Sequence, residues 1–165
     1  MNRISIIVAV ADNNAIGNEN RLLWHIPADL KRFKALTTNH TVLMGKNTWE
    51  SLPIKPLPNR TNVVLTDRSD ERIEGVVCIH SFDEALKICA SEEETFIMGG
   101  GMVYRQFLPH AHRIYLTRVY ATFVADTFFP EINMEEWDIA KTEHNDPDAS
   151  NPYSFSYLIL DRKKK

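Results

Sequence analysis

The chain has little of what marks the specialised classes of protein. It contains only two cysteines, Cys78 and Cys89, which stand apart without C-x-x-C spacing. Neither a disulfide framework nor a cysteine metal site is therefore expected, and the thiols suit a reducing, cytoplasmic compartment. No apolar run approaches the roughly 18 residues of a membrane helix, which argues against a membrane partner. The 19 basic and 22 acidic residues leave a net charge of −3, and without a basic field nucleic acid is not an expected partner.

The chain does have enough apolar sequence for one core. With 165 residues and 44% hydrophobic composition, a single domain spanning residues 1–165 is expected. Apolar runs of strand length alternate with helix-period segments early in the chain and follow one another at its end. This order predicts an α/β fold with a central, mostly parallel eight-stranded sheet, four flanking helices and an antiparallel C-terminal meander. The predicted strands are residues 4–10, 41–44, 62–66, 76–79, 95–98, 113–120, 137–144 and 153–160, and the predicted helices are residues 28–37, 47–52, 83–89 and 101–107.

A turn of three glycines, Gly99, Gly100 and Gly101, follows one predicted strand and opens the next predicted helix. Residues without Cβ atoms at such a turn let phosphate groups approach the backbone N–H groups. The spacing is not that of the usual dinucleotide fingerprint, because Tyr104 stands where the last glycine of G-x-G-x-x-G would be. The turn indicates either a nucleotide site or a tightly packed or flexible connection.

A carboxylate occurs beside the apolar stripe of the first predicted helix. Pro27 suits the first helical position, and Asp29 then lies next to Leu30 and Phe33 on the helix surface. Burial at a cleft would raise the pKa of this carboxyl, which could then bind the amidine-like edge of a heterocycle. An acid in the first turn also serves the helix dipole alone, so both interpretations stand at this point.

Two cations stand at turns beside predicted strands. Lys46 follows Gly45 in a second strand-glycine-helix segment, and two such turns at neighbouring strand ends could hold the diphosphate of a dinucleotide. Arg60 follows a turn stiffened by prolines at residues 56–58, and a fixed guanidinium suits the two oxygens of a carboxylate. The alternative for Arg60 is an ordinary surface arginine.

Four motifs occur in a particular order along the chain. They are Trp24-x-x-Pro27-x-Asp29, Met44-Gly45-x-x-Thr48-Trp49-Glu50-Ser51, Pro56-Leu57-Pro58-x-Arg60 and Gly99-Gly100-Gly101 through Tyr104. Together they resemble the dihydrofolate reductase family of the bacterial chromosomal type. The resemblance implies an NADPH-dependent oxidoreductase that reduces 7,8-dihydrofolate to 5,6,7,8-tetrahydrofolate by hydride transfer, in support of one-carbon metabolism and thymidylate, purine and amino-acid synthesis. It also implies a cytoplasmic monomer that antifolates of the diaminopyrimidine class inhibit.

The resemblance implies catalytic roles for Asp29, Trp24, Tyr104 and Thr117. Asp29 would bond the pterin at N3 and the 2-amino group, and it would favour protonation of the distant N5 while water delivers the proton. Arg60 would clamp the glutamate α-carboxylate, with Lys55 near the same tail. The residues implied to bind substrate are Ile7, Val8, Asp29, Leu30, Phe33, Leu52, Lys55, Leu57, Arg60 and Thr117.

The resemblance also implies a site for NADPH, with the diphosphate at the two glycine turns and a cis peptide within the triple glycine. The 2′-phosphate would lie beside Thr66, Arg68 and Lys46. Two departures from the family pattern, Asn47 in place of a second basic residue and Asp67 near the 2′-phosphate, predict a weaker preference for NADPH over NADH. The implied cofactor-binding residues are Ala9, Ile16, Gly17, Asn20, Gly45, Lys46, Asn47, Thr48, Leu65, Thr66, Asp67, Arg68, His80, Met98, Gly99, Gly100, Gly101, Met102, Val103, Tyr104 and Gln106.

Two other functions are compatible with these residues. One is a reductase of the same fold that acts on a pyrimidine of riboflavin synthesis. Asp29 and Arg60 argue against it, because that substrate has neither a pterin edge nor a glutamate tail. The other is a pterin- or nucleotide-binding module without turnover. No metal is expected, since the six histidines, including His110 and His112, lack cysteine or carboxylate partners at metal-ligand spacing.

Overall fold

The computed structural model describes residues 2–18, 23–68 and 70–164 and confirms the expected α/β fold. The predicted strands and helices are all present, with ends shifted by at most two residues, whereas the short strands β2 and β8 were not predicted. None of the described helices could cross a membrane. The strands are β1 (Arg3–Ala11), β2 (Ala15–Gly17), β3 (Thr41–Gly45), β4 (Thr61–Leu65), β5 (Val77–Ile79), β6 (Glu94–Gly99), β7 (Arg113–Val119), β8 (Thr127–Phe128), β9 (Trp137–Asn145) and β10 (Phe155–Arg162). The helices are α1 (Pro27–Thr37), α2 (Lys46–Ser51), α3 (Phe82–Ser91) and α4 (Gly101–Phe107), with a 3₁₀ turn at Leu108–His110.

The large sheet has the strand order β5-β4-β3-β6-β1-β7-β10-β9, and only β10 runs against the other strands. The expected C-terminal meander is therefore wrong in its order, because β10 lies between β7 and β9. Burial explains the difference. β9 is almost wholly exposed after Trp137 and carries the charged and polar side chains that suit an edge strand, whereas β10 buries Phe155 and Leu160.

Side chains of the sheet alternate between two apolar layers. Ile6 and Val8 of β1 pack in one layer with Phe107 of α4. Phe96 of β6 packs in the other layer with Trp49 of α2. Because helices cover both faces of the parallel strands, these strands are apolar on both sides, and this is why residues 6–11 of β1 and 96–98 of β6 form unbroken apolar runs.

The helices α1 and α3 begin in different ways. The side chain of Ser81 caps α3 by accepting a hydrogen bond from the N–H of Glu84 at 3.1 Å. The residue before α1 offers no capping side chain, and the N–H of Ala28 instead donates to Oδ1 of Asn151 at 3.3 Å. Asn151 is held in turn by Asp148, whose Oδ1 accepts from its N–H at 2.7 Å. A distant loop therefore fixes the start of α1, which carries the acid predicted for the site.

The carboxyl ends of the parallel strands meet along one edge of the sheet. Met44 of β3 pairs with Gly99 of β6, so the Gly45 turn and the triple-glycine turn are neighbours. β4 ends at the same edge and is followed by Thr66. In open α/β sheets this edge is where ligands bind.

Truncation of Ile97 tests the packing of the central strands. This side chain is fully buried in β6, between β3 and β1. We expect Ile97→Ala to lower the free energy of unfolding in urea by about 2–5 kcal/mol, since the cavity cannot fully close. Val124→Ala, at a side chain that is 88% exposed, is the control, and it should change this free energy by less than about 0.5 kcal/mol. Equal effects of the two substitutions would contradict the described core.

Candidate functional site

Asp29 of α1 and Thr117 of β7 form a hydrogen-bonded pair. The Thr117 hydroxyl donates to Oδ1 of Asp29 at 2.7 Å, and Thr117 itself is buried. Burial raises the pKa of Asp29, and the hydrogen bond together with the positive charge of Arg32 only partly offsets this rise. Of the two interpretations of this acid, the geometry favours a desolvated, positioned carboxyl over one that only complements the helix dipole.

Tyr104 connects α4 to the central strand. Its hydroxyl donates to the carbonyl oxygen of Ile7 at 2.8 Å, and its ring meets Phe129 edge-on with centroids 5.2 Å apart. Burial and the nearby charge of Asp29 raise the pKa of Tyr104 well above its usual range. The phenol therefore stays protonated and keeps its hydrogen bond to β1.

Trp24 packs against Phe123, with ring centroids 5.3 Å apart, in a small apolar cluster that includes Ile26 and Phe155. Its side chain makes no direct hydrogen bond to Asp29 in the described part of the chain. Trp24 thus lies just before the start of α1, the helix that carries Asp29, and its predicted support of Asp29 through a water stays a prediction.

Apolar side chains predicted to contact substrate lie on the Asp29 side of the sheet. Ile7, Leu52 and Leu57 are partly buried there, on the cluster that contains Trp49. Leu30 is 46% exposed. The side chain of Val8 lies in the opposite layer, because successive strand residues alternate between faces. Val8 can therefore contribute only its backbone on the Asp29 side.

The Arg60 guanidinium is positioned by hydrogen bonds within the protein. Its Nη1 donates to Oγ1 of Thr37 at 3.1 Å and its Nε donates to the carbonyl of Pro58 at 2.9 Å. It lies 5.9 Å from the centre of the Phe33 ring. Burial lowers its pKa, and no carboxylate of the described residues forms an ion pair with it. An anionic ligand would thus meet a fixed, partly desolvated cation.

Asn62, which the sequence analysis did not single out, shapes the loop that carries Arg60. Its Oδ1 accepts from the N–H of Leu57 at 2.9 Å, and its Nδ2 donates to the carbonyls of Leu57 and Arg60 at 2.9 and 3.0 Å. The signal in the sequence was an asparagine close after a proline-rich turn, because asparagine side chains often bond nearby backbone groups. The predicted neighbour Lys55 is exposed and donates to the carbonyl of Glu50 at 3.3 Å.

The two glycine turns leave little space for side chains. A Cβ atom on Gly45 would lie 3.2 Å from Cγ2 of Val103, and one on Gly99, where φ is +132°, would lie 3.1 Å from Oγ1 of Thr48. The predicted cis peptide joins Gly99 and Gly100. Bare backbone at this place fits the phosphate groups of a dinucleotide, which can accept hydrogen bonds from its N–H groups.

The remaining predicted cofactor residues lie near the same edge. Ala9 is opposite Thr117 in the β1-β7 register, and Ile16 and Gly17 belong to β2. Asn20 lies outside the residues that the structure describes. Leu65, Met98, Gly100 and Gly101 are half-buried, and the side chains of Asn47, Met102 and Gln106 are exposed.

The residues expected at the 2′-phosphate meet beyond the end of β4 around an acid that the sequence analysis missed. Glu71 forms an ion pair with Lys46, and it accepts a hydrogen bond from Oγ1 of Thr66 at 2.7 Å. Asp67, the acid singled out by the sequence, is exposed. The nearby Nδ1 of His80 is buried without a hydrogen-bond partner among the described residues. No local pattern connects Glu71 with Lys46, because the two lie far apart in the chain.

Comparison with known proteins identifies the family that this chain matches. A family model described as dihydrofolate reductase matches residues 3–162. The dihydrofolate reductase of Haemophilus influenzae is 43% identical over 159 residues, which are 96% of this chain and 98% of the relative. That of Bacillus subtilis is 38% identical over 160 residues, 97% of this chain and 95% of the relative. The structure of dihydrofolate reductase from Enterococcus faecalis complexed with NADP(H) and RAB-propyl matches with a TM-score of 0.93 at 37% identity, covering 98% of this chain and 97% of that one.

The fold and the site thus define an α/β oxidoreductase that works with a nicotinamide dinucleotide. The chain belongs to the dihydrofolate reductase family. Its reaction is the NADPH-dependent reduction of dihydrofolate, which sets aside both the pyrimidine reductase and the binding module without turnover.

Removal of the Thr117 hydroxyl tests its effect on Asp29. The hydrogen bond favours the charged carboxylate, so its loss, with burial unchanged, should raise the pKa of Asp29 further. We expect Thr117→Val to move the carbon-13 NMR titration of the Asp29 carboxyl to higher pH. Thr117→Ser, which keeps the hydroxyl, should titrate close to the wild type. An unchanged or lower pKa in Thr117→Val would show that this hydrogen bond does not act on the carboxylate.

Proposed function

We propose that 7,8-dihydrofolate binds with its pterin ring against Asp29 and its glutamate tail at Arg60, and is reduced there to 5,6,7,8-tetrahydrofolate. The observation that carries this proposal is the desolvated Asp29 carboxyl, held by Thr117 on the face of the sheet that packs against Trp49. Membership of the dihydrofolate reductase family supports the same assignment.

The Asp29 carboxylate has suitable acceptors for one edge of the pterin. The Thr117 hydroxyl uses one lone pair of Oδ1. The other lone pairs of the two oxygens can accept hydrogen bonds from the pterin N3–H and the 2-amino group. Partial burial strengthens such charge-assisted hydrogen bonds relative to water. The same edge occurs in protonated diaminopyrimidines, so antifolates of that class are expected to compete with substrate.

Reduction of the pterin at C6 requires a proton at N5, and Asp29 assists without contacting that atom. A carboxylate bound at N3 and the 2-amino group places its negative charge on the conjugated ring, which raises the proton affinity of N5. Water then delivers the proton. Ile7, Leu30 and Phe33 would exclude other water from the ring, and the lower local dielectric increases the effect of the charge.

NADPH supplies the electron pair of the reduction. The bare backbone of the turns at residues 45–48 and 99–101 would hold its diphosphate, because N–H groups there can be approached closely. The residues that would border the nicotinamide are Ala9, Met98 and Tyr104. Tyr104 keeps this region in place through its hydrogen bond to the carbonyl of Ile7.

Arg60 retains the donors that a carboxylate needs. One N–H of Nη1 and the N–H of Nε are already used within the protein. The second N–H of Nη1 and both of Nη2 are left to form two parallel hydrogen bonds with the α-carboxylate of the glutamate tail.

We further infer a cytoplasmic monomer with one domain, which supplies tetrahydrofolate to one-carbon metabolism and so to thymidylate, purine and amino-acid synthesis. The length of the chain supports one domain, and the free thiols of Cys78 and Cys89 support a reducing compartment. The resemblance to chromosomal dihydrofolate reductases supports the monomer and the metabolic role.

Asp29→Asn tests the role of the carboxylate, because it removes the charge and keeps the shape. With dihydrofolate, we expect NADPH oxidation near neutral pH to fall by about 10²–10⁴-fold. The defect should diminish as the pH falls, since substrate then arrives already protonated. The measurement is the absorbance of the reduced nicotinamide, followed from mildly acidic to mildly alkaline pH. Normal turnover by the variant at mildly alkaline pH would refute the proposed role.

The same variant has a stability readout that does not depend on turnover. Because the folded-state pKa of Asp29 is raised, ionisation of this carboxyl opposes folding once the pH exceeds its ordinary value of 3.8. This loss of folding stability grows with pH until the pH passes the folded-state pKa of Asp29. Asp29→Asn should therefore unfold at a higher temperature than the wild type at neutral pH. The difference should vanish in acid, where the wild-type carboxyl is protonated in both states.

Arg60→Gln tests the glutamate tail separately from the pterin. Loss of a charge-assisted pair worth about 1.5–3 kcal/mol should raise KM for dihydrofolate by about 10- to 150-fold. A dihydropterin without the aminobenzoylglutamate tail should be reduced by variant and wild type with equal kcat/KM. Lys87→Gln removes an exposed charge from α3 instead and should change KM by less than about threefold. Equal losses on both substrates in Arg60→Gln would mean that Arg60 acts through the fold.

A further inference from the structure

The Glu71 carboxylate lies among the residues that are expected to hold an anion. It pairs with Lys46, and it accepts a hydrogen bond from Oγ1 of Thr66 at 2.7 Å. The backbone N–H of Arg68 donates to the same Thr66 oxygen at 3.3 Å. The Glu71 carboxylate therefore already accepts hydrogen bonds from donors that a phosphate group would use.

Several contacts hold Glu71 in this position. Its backbone N–H donates to the carbonyl of Arg68 at 3.0 Å, which closes a turn. The Glu71 side chain is only 16% exposed, whereas Glu50, which reaches Lys46 at 3.6 Å from the next helical turn, is 58% exposed. Hydrogen bonds from Lys46 and Thr66 keep the pKa of Glu71 below its ordinary value, so the carboxylate is charged at neutral pH.

We propose that Glu71 determines cofactor preference in this enzyme: its carboxylate occupies the anion position on Lys46 and Thr66 that a 2′-phosphate needs, and it offers an acceptor to a 2′-hydroxyl. This inference rests on the proposed placement of the 2′-phosphate at Lys46, Thr66 and Arg68. It assigns to Glu71 the weaker preference for NADPH that the sequence analysis attributed to Asp67, whose side chain is exposed.

The two nicotinamide cofactors meet this carboxylate in different ways. A 2′-phosphate carries a charge of about −1.5 to −2. It must displace Glu71 from Lys46, which breaks existing hydrogen bonds, or lie beside it, which brings like charges together. A 2′-hydroxyl is neutral and can donate to a carboxylate, as the ribose does to the acidic residue of NAD-binding folds. Glu71 therefore weakens binding of NADP(H) relative to NAD(H).

Binding of NADP⁺ and NAD⁺ to the wild type and to Glu71→Gln tests this inference without turnover. Glutamine keeps the size of the side chain and an acceptor for Thr66, and it removes the charge. By isothermal titration calorimetry at fixed ionic strength, we expect the ratio of the NAD⁺ to the NADP⁺ dissociation constant to rise about three- to tenfold. Asp70→Asn removes the same charge from an adjacent, exposed position, and it should change the ratio by less than about twofold.

A double-mutant cycle with Lys46→Gln then separates occupation of the anion position from a general charge effect. If Glu71 acts by holding Lys46, the gain from Glu71→Gln should be largely lost in the Lys46→Gln background. A gain that persists in full there, or equal ratios in Glu71→Gln and the wild type while both dinucleotides bind, would overturn the inference and leave the proposed function intact. Failure of the wild type to bind either dinucleotide would overturn the proposed cofactor site and this inference with it.

Discussion

The parallel pairing of the four central strands, β3 with β6, β6 with β1 and β1 with β7, is the constraint on which the whole site depends. Strands that run in the same direction end at the same edge, so their following turns meet there whatever their distance in sequence. Thr117 lies towards this end of β7, where it bonds Asp29, and the parallel pairing of β3 with β6 makes the glycine turns after these strands neighbours. The reversed strand β10 adds β9 as a polar edge and leaves this arrangement intact.

The two ends of the site differ in their electrostatics. At the proposed substrate end, Asp29 is desolvated at a cost to folding, and Arg60 is fixed without an acidic partner among the described residues. At the proposed cofactor end, the protein already neutralises Lys46 with Glu71. In the proposed site, the fold thus leaves hydrogen-bonding capacity of Asp29 and Arg60 free for a substrate, whereas Glu71 already occupies the anion position on Lys46. Binding groups that are kept desolvated or without a partner commonly lower the stability of a fold.

Two buried asparagines position the functional side chains. Asn62 bonds the backbone of the loop that presents Arg60, and Asn151 bonds the first turn of the helix that presents Asp29. An amide can donate and accept at once, so it ties irregular backbone down where no strand or helix is available. Binding groups on loops need such support, because their geometry must hold within a fraction of an ångström.

The strands, the helices and the candidate residues Asp29, Arg60 and Gly99 could be read from the chain, because apolar periodicity and turn chemistry involve residues close together in sequence. The resemblance to dihydrofolate reductases also implied the Thr117 hydroxyl beside Asp29, and the structure shows this contact. The position of β10, the β2-β8 pair and the contact of Glu71 with Lys46 could not be predicted. They depend on which strands become neighbours, and that is decided by the burial of the whole sheet. Local order along the chain therefore came from the amino-acid sequence directly, whereas the partner of each charged group followed from long-range packing.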